Sequence, residues 1–331
     1  MKTLLAFVVF FTTLASVAQT KPSMRYEDKI RIKEARTIEK KFGEQLWKGY
    51  TKSPIAIILI DNDYEYLIDH PNPSKDFLFL EKDSLLGVNI HYRKQQFNKA
   101  YLATFPAVNG IPCIVVGIPE NSNRTSTEWI ITILHERFHQ YQQNTKNYYK
   151  ESMDLGLSNG DQSGMWQLNY PFPYEDKATI SAYKSYTIAL KKAIEMLQNK
   201  NFDIYFNQFR KAREKFKNSL KENDYKFFSF QLYQEGIARY TEYGFLDLMK
   251  DYSPSKEVQK IKDFTSFKEY KQSFYKKRIN NVIAMQLQTS KRVCFYDLGF
   301  AEALLINKVN PNWRDQYLLD KFDISMFYPK D

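Results

Sequence analysis

Histidine and cysteine are the scarcest chemistry-bearing residues of this 331-residue chain, at four and two respectively. That scarcity leaves few ways to build a metal centre or a thiol nucleophile. Glycine (11) and proline (12) are also few, which excludes collagen-like and low-complexity architectures. No glycine-rich loop of the phosphate-cradling kind is present. Beyond the first residues, apolar runs such as Ile55–Ile60 and Ile111–Ile118 are only strand-length, so no transmembrane helix is expected.

Aromatic and aliphatic side chains, by contrast, are plentiful: 25 Phe, 24 Tyr and 43% hydrophobic residues overall can fill a large core and exclude disorder. The formal charge is +10, but Lys and Arg recur among acids and apolar residues at helical spacing, as in 210–217. Such stretches are solvated helix faces, and without a nucleic-acid-binding module they predict no nucleic-acid partner.

Met1-Lys2, the apolar run Leu4–Phe11 and the small-x-small sequence Ser16-Val17-Ala18 predict a signal peptide over 1–18. The mature chain is therefore expected to be exported, to a periplasmic or extracellular location. Export makes a Cys113–Cys294 disulfide possible, although a buried thiol within Ile111–Val116 explains Cys113 equally well.

A helix is predicted over 26–47, then strands over 54–61, 64–68, 77–80, 87–92 and 111–118, the last closing the sheet. Helical periodicity follows over 126–145, 176–198, 202–220, 225–250, 267–288 and 297–308. Strands followed by helices predict an α+β fold. Residues 19–123 form an N-terminal helix and mostly antiparallel sheet lobe, and 124–331 a large helical catalytic lobe, the two making one compact unit.

The first helix after the sheet contains His135-Glu136-Arg137-Phe138-His139. Residues four apart on a helix differ by about 40° in direction, so both imidazoles can converge on one metal ion. Glu136 projects beside them, where it can take a proton from a water whose pKa zinc has lowered. Arg137 carries a charge inside the motif, and an outward pairing with a carboxylate is expected to accommodate it. A catalytic zinc needs a third protein ligand. The other histidines, His70 and His91, lie upstream, so a downstream carboxylate is favoured. Glu235, within Gln234-Glu235-Gly236-Ile237-Ala238, is the best candidate, with Gly236 and Ala238 letting its helix approach the histidine helix closely. Arg239 and Glu242 lie about 40° and −20° from Glu235 on the helical wheel. On that face they either orient a ligand or form a plain ion pair.

Four short motifs in order, Gly117-Ile118-Pro119-Glu120-Asn121, His135–His139, Gln234–Ala238 and Tyr296-Asp297-Leu298-Gly299, resemble those of the gluzincin metallopeptidases, especially the aminopeptidase N-like and glycyl-aminopeptidase-like families. The resemblance implies a zincin-like catalytic lobe in which His135, His139 and Glu235 hold zinc and Glu136 is the general base. It also implies that Tyr296 hydrogen-bonds the oxyanion and that Glu120 anchors a substrate amine. The 96 positions from His139 to Glu235 imply helices inserted between the ligands. The expected function is that of an exported zinc metallohydrolase, a peptidase acting on peptide or protein substrates along an edge strand at 114–118. The alternative is a non-catalytic exported binding or scaffold protein with a metallopeptidase-like fold.

Overall fold

The computed structural model of the chain describes residues 21–53 and 55–329. The leader expected at 1–18 lies outside them. The fold is α+β. Helix α1 (Tyr26–Leu46) precedes a sheet of β1 (Ile57–Ile60), β2 (Tyr64–Ile68), β3 (Leu78–Asp83), β4 (Val88–Lys94), β5 (Leu102–Val108) and β6 (Ile111–Gly117). Then come α2 (Ser126–Gln143), the short α3 (Tyr148–Met153) and α4 (Trp166–Asn169), α5 (Lys177–Glu195), α6 (Phe202–Asn218) and α7 (Glu222–Gln231). A π-helical turn (Leu232–Gly236) joins α7 to α8 (Ile237–Leu248). The chain ends with α9 (Lys256–Gln259), α10 (Phe267–Ala284), α11 (Leu287–Ser290) and α12 (Cys294–Val309), followed by two short 3-10 turns. Among the described residues, no helix is long and apolar enough to cross a membrane.

The strand order is β3-β4-β2-β1-β6-β5. Only β1 and β6 run parallel, so the sheet is mixed but mostly antiparallel. Central β1 is buried on both faces. Ile57 and Leu59 join the main core under the helices, and Ile58 and Ile60 join a smaller cluster with Phe77 and Cys113 on the opposite face. The main core runs without interruption from Met24 to Tyr328, tying sheet and helices into one unit.

The expectation of an edge strand at 114–118 is corrected. β6 is paired on both sides, parallel to β1 and antiparallel to β5. The edge belongs to β5, a strand the sequence hides. Its Pro106 cannot donate to a ladder, and the pairing slips between Phe105 and Val108 around it. Proline is tolerated in a sheet only at such an edge or bulge.

The long gap between histidines and Glu235 is filled largely by α5 and α6, which pack on each other as a hairpin, with α5 resting on α10 and α12. The insertion therefore leaves α2 in direct contact with α8. Both cysteines are free and buried, Cys113 in the small outer cluster and Cys294 at the start of α12.

Candidate metal centre

Two local devices fix α2. A capping box closes its N-terminus: the Thr125 hydroxyl accepts from the Glu128 N–H and the Glu128 carboxylate from the Thr125 N–H. Further along, the Trp129 indole donates to the Gly117 carbonyl at the end of β6 (2.8 Å). One turn later, the His135 and His139 Nε2 atoms stand 3.1 Å apart. The π-helical turn delivers the third group. Its i→i+5 bond, from the Ile237 N–H to the Leu232 carbonyl, inserts one residue into an otherwise continuous helix. Glu235 Oε2 thereby lies 3.5 Å from His135 Nε2 and 3.4 Å from His139 Nε2.

These three edges test whether zinc fits. Bonds of about 2.0–2.1 Å in a tetrahedral site set ligand atoms about 3.3 Å apart. The observed triangle, with edges of 3.1, 3.4 and 3.5 Å, has that size. The donor set also fits, since two imidazoles and one carboxylate on a metal with an open position is a known catalytic zinc arrangement.

Both rings are held in the required orientation. His135 Nδ1 donates to Glu242 Oε1 (2.6 Å), which in turn accepts from Arg239 Nη1 (2.8 Å). His139 Nδ1 donates to Gln142 Oε1 (2.7 Å), whose amide nitrogen donates to the Tyr317 hydroxyl (2.7 Å). With Nδ1 so engaged, both Nε2 atoms face the same point. Burial disfavours the charge on Glu242, yet Arg239 and His135 hold its carboxyl down to about 2. Burial likewise opposes ionisation of Glu235, but the two histidines keep it well below the usual carboxylate range. Glu242→Gln is expected to weaken zinc binding on the order of 10- to 100-fold, measured by competition with a chelator. Unchanged affinity would show that Glu242 does not act through His135.

Glu136 acts on the same cluster through its charge, which favours the protonated form of His135. Its carboxylate accepts from the Thr104 hydroxyl on edge strand β5 (2.9 Å), and its backbone carbonyl lies equally close to that hydroxyl (2.9 Å). Tyr296 sits beside Glu235. Burial first, and the Glu235 carboxylate second, raise its pKa against the pull of Arg292, whose Nη1 donates to the Tyr296 oxygen at 2.6 Å. Arg292 Nη1 is also 4.0 Å from Glu235 Oε1.

Three expected details differ. Gly236 does not serve an approach to α2: a Cβ there would meet Gly299 Cα at 2.4 Å, so the two glycines let the π turn and α12 touch backbone to backbone. That crossing sets Tyr296 next to Glu235. Arg137 pairs with a carboxylate as expected, but inward. Fully buried, it bonds Glu39 Oε1 (2.9 Å) on α1 and the carbonyls of Tyr50 (2.7 Å) and Ser53 (2.9 Å). Glu120 is not brought into the cluster, since both its carboxylate oxygens are taken by Arg25 (2.8 and 3.0 Å) at the start of α1.

Among residues that sequence reasoning passed over, Gln142 was open to discovery, lying three after His139 on the same helical face. Thr104 was concealed by the proline of β5, and Arg292 reaches the centre only through the tertiary packing of α12. Comparison with known protein families, with curated proteins and with solved structures finds no match.

Proposed function

We propose that this chain is a zinc-dependent hydrolase of peptide bonds, with the gluzincin peptidases as the group it resembles. The observation that carries this reading is the triangle of His135 Nε2, His139 Nε2 and Glu235 Oε2, each imidazole oriented through its other nitrogen. Zinc bound there supplies Lewis-acid polarisation of a carbonyl and a lowered pKa for water. The residues of the chain do the rest. Glu136, one position from His135 and tethered by Thr104, accepts a proton from the attacking water and passes it to the leaving nitrogen. Tyr296 offers its O–H to the developing oxyanion, its oxygen being occupied by Arg292. Edge strand β5, rather than β6, is the free sheet edge beside Glu136 along which an extended substrate would lie, displacing the Gln143 amide that now donates to the Thr104 carbonyl (2.9 Å). Export by the N-terminal leader belongs to the same proposal, as do the peptide substrates.

Metal analysis of the purified chain tests the reading. One zinc per chain, lost in His135→Ala, supports it, and a wild-type protein without stoichiometric zinc overturns it.

Zinc loading should also be proton-linked. Burial disfavours the charged His135 imidazole, but Glu235, Glu242 and Glu136 outweigh it and set its pKa at about 9. Zinc needs the Nε2 lone pair, so below that pH the metal competes with a proton. Binding at pH 7 to 8 is therefore expected to release about one proton, and apparent affinity to rise about tenfold per pH unit before levelling near pH 9. Calorimetry in buffers of different ionisation enthalpy measures the proton count. A count near zero would contradict a protonated His135 in the metal-free protein.

A further inference from the structure

Among the described residues, Arg292 is the one cation of the centre not already committed to a carboxylate outside the ligand set. Glu242 and Arg239 pair at 2.8 Å, and Asp297 and Arg278 pair behind them at 3.5 Å. What remains is Glu136, Glu235 and Arg292, so binding of a dication leaves the centre with one surplus positive charge. Zinc would also claim the carboxylate that now balances Arg292. Among the described residues, the only hydrogen bond of its guanidinium goes to the Tyr296 oxygen. The side chain is 23% exposed. Lys291, immediately before it, holds φ +46° and ψ −136°, a conformation that L residues rarely adopt. Such strain persists where the surrounding structure enforces it, typically at binding sites. Among the described residues, the one carboxylate expected to meet a substrate amine, Glu120, is paired with Arg25 instead.

We propose that Arg292 binds the terminal carboxylate of a peptide substrate, so that the enzyme removes residues from the C-terminus. This rests on the zinc hydrolase reading above. The distances suit it. In a peptide, the carboxyl carbon of the last residue lies about 3–4 Å from the preceding carbonyl carbon. A guanidinium 4.0 Å from a metal-ligand carboxylate stands within reach of both groups. Its planar fork matches a carboxylate with two parallel hydrogen bonds. Hydrolysis then adds OH to the carbonyl carbon and H to the leaving nitrogen, breaking the last C–N bond and releasing one free amino acid.

The test uses the zinc-loaded full chain carrying Glu136→Gln, and reads binding by calorimetry rather than turnover. The probes are one N-acetylated peptide as its C-terminal acid and the same peptide as its C-terminal amide, both with neutral side chains. The acid is expected to bind on the order of 10- to 100-fold more tightly, the range for hydrogen bonds to a charged group. Adding Arg292→Gln should bring the ratio to near one, and Arg292→Lys should keep part of it. Equal binding of acid and amide, or a preference that survives Arg292→Gln, overturns the proposal. So does strong binding that appears only when the N-terminus is left unacetylated. Zinc content is measured on the same samples: absence of zinc defeats the hydrolase reading, whereas zinc without acid preference defeats only the role of Arg292.

Discussion

Glu136→Gln is expected to keep one zinc per chain and to lose peptide hydrolysis by on the order of 10²- to 10⁴-fold, the contribution of a positioned general base. The two outcomes separate because the three clustered atoms proposed to hold zinc belong to His135, His139 and Glu235. Glutamine retains the shape of Glu136 and can still hydrogen-bond the Thr104 hydroxyl that now contacts the carboxylate. Only the capacity to accept and return a proton is removed. Steady-state kinetics on a peptide mixture, beside metal analysis of the same preparation, reads both. Activity within tenfold of wild type would place the base elsewhere. A zinc-loaded wild type that cleaves no peptide would favour the alternative of a binding or scaffold protein.

The second large effect is expected at Gly299. Alanine in a helix is ordinarily favoured over glycine by about 1 kcal/mol. Here a Cβ would stand 2.6 Å from Gly236 Cα and 2.8 Å from the Leu232 carbonyl oxygen. Both are backbone atoms, so no side chain can rotate away and the two helices must separate. We expect Gly299→Ala to destabilise the fold by about 2–4 kcal/mol net, the upper range for overpacked cores. Zinc affinity should fall with it, because the displaced segment carries Glu235. Denaturant unfolding of the metal-free chain and chelator competition measure the two losses. A midpoint equal to or above that of wild type would show that α12 gives way without disturbing the π turn.

Much of this was written in local sequence. Periodicities placed α1, α2, α5, α6, α10 and α12 within a few residues, because each buries a stripe of apolar side chains on a regular repeat. The clustering of His135, His139 and Glu235 was legible for a related reason: a helix of known pitch fixes the directions of residues four apart, and elimination among four histidines pointed to a downstream carboxylate beside them. What escaped depends on contacts between elements. β5 was hidden by Pro106, and its loss made β6 look like the edge. The partner of Gly236 could not be read, since a glycine shows that something approaches closely but not what. The inward turn of Arg137 likewise needed Glu39, 98 positions earlier, to be seen beside it. Arg292 carries no spacing relation to the histidines at all.

The π turn gives the centre a genetic character distinct from its chemistry. The place of Glu235 beside the two histidines depends on one surplus residue wedged into a helix that otherwise runs from Glu222 to Leu248. Shortening 232–236 by a single codon would restore the ordinary helical repeat and swing the residues before the deletion by about 100° relative to those after it. Where the residue lost is Gly236, the one position of the turn after Glu235, His135 and Glu242 stay matched while Glu235 turns away. Under the proposed reading, a lineage carrying this fold would gain or lose its metal by one in-frame insertion or deletion after Glu235, with none of the three clustered residues replaced.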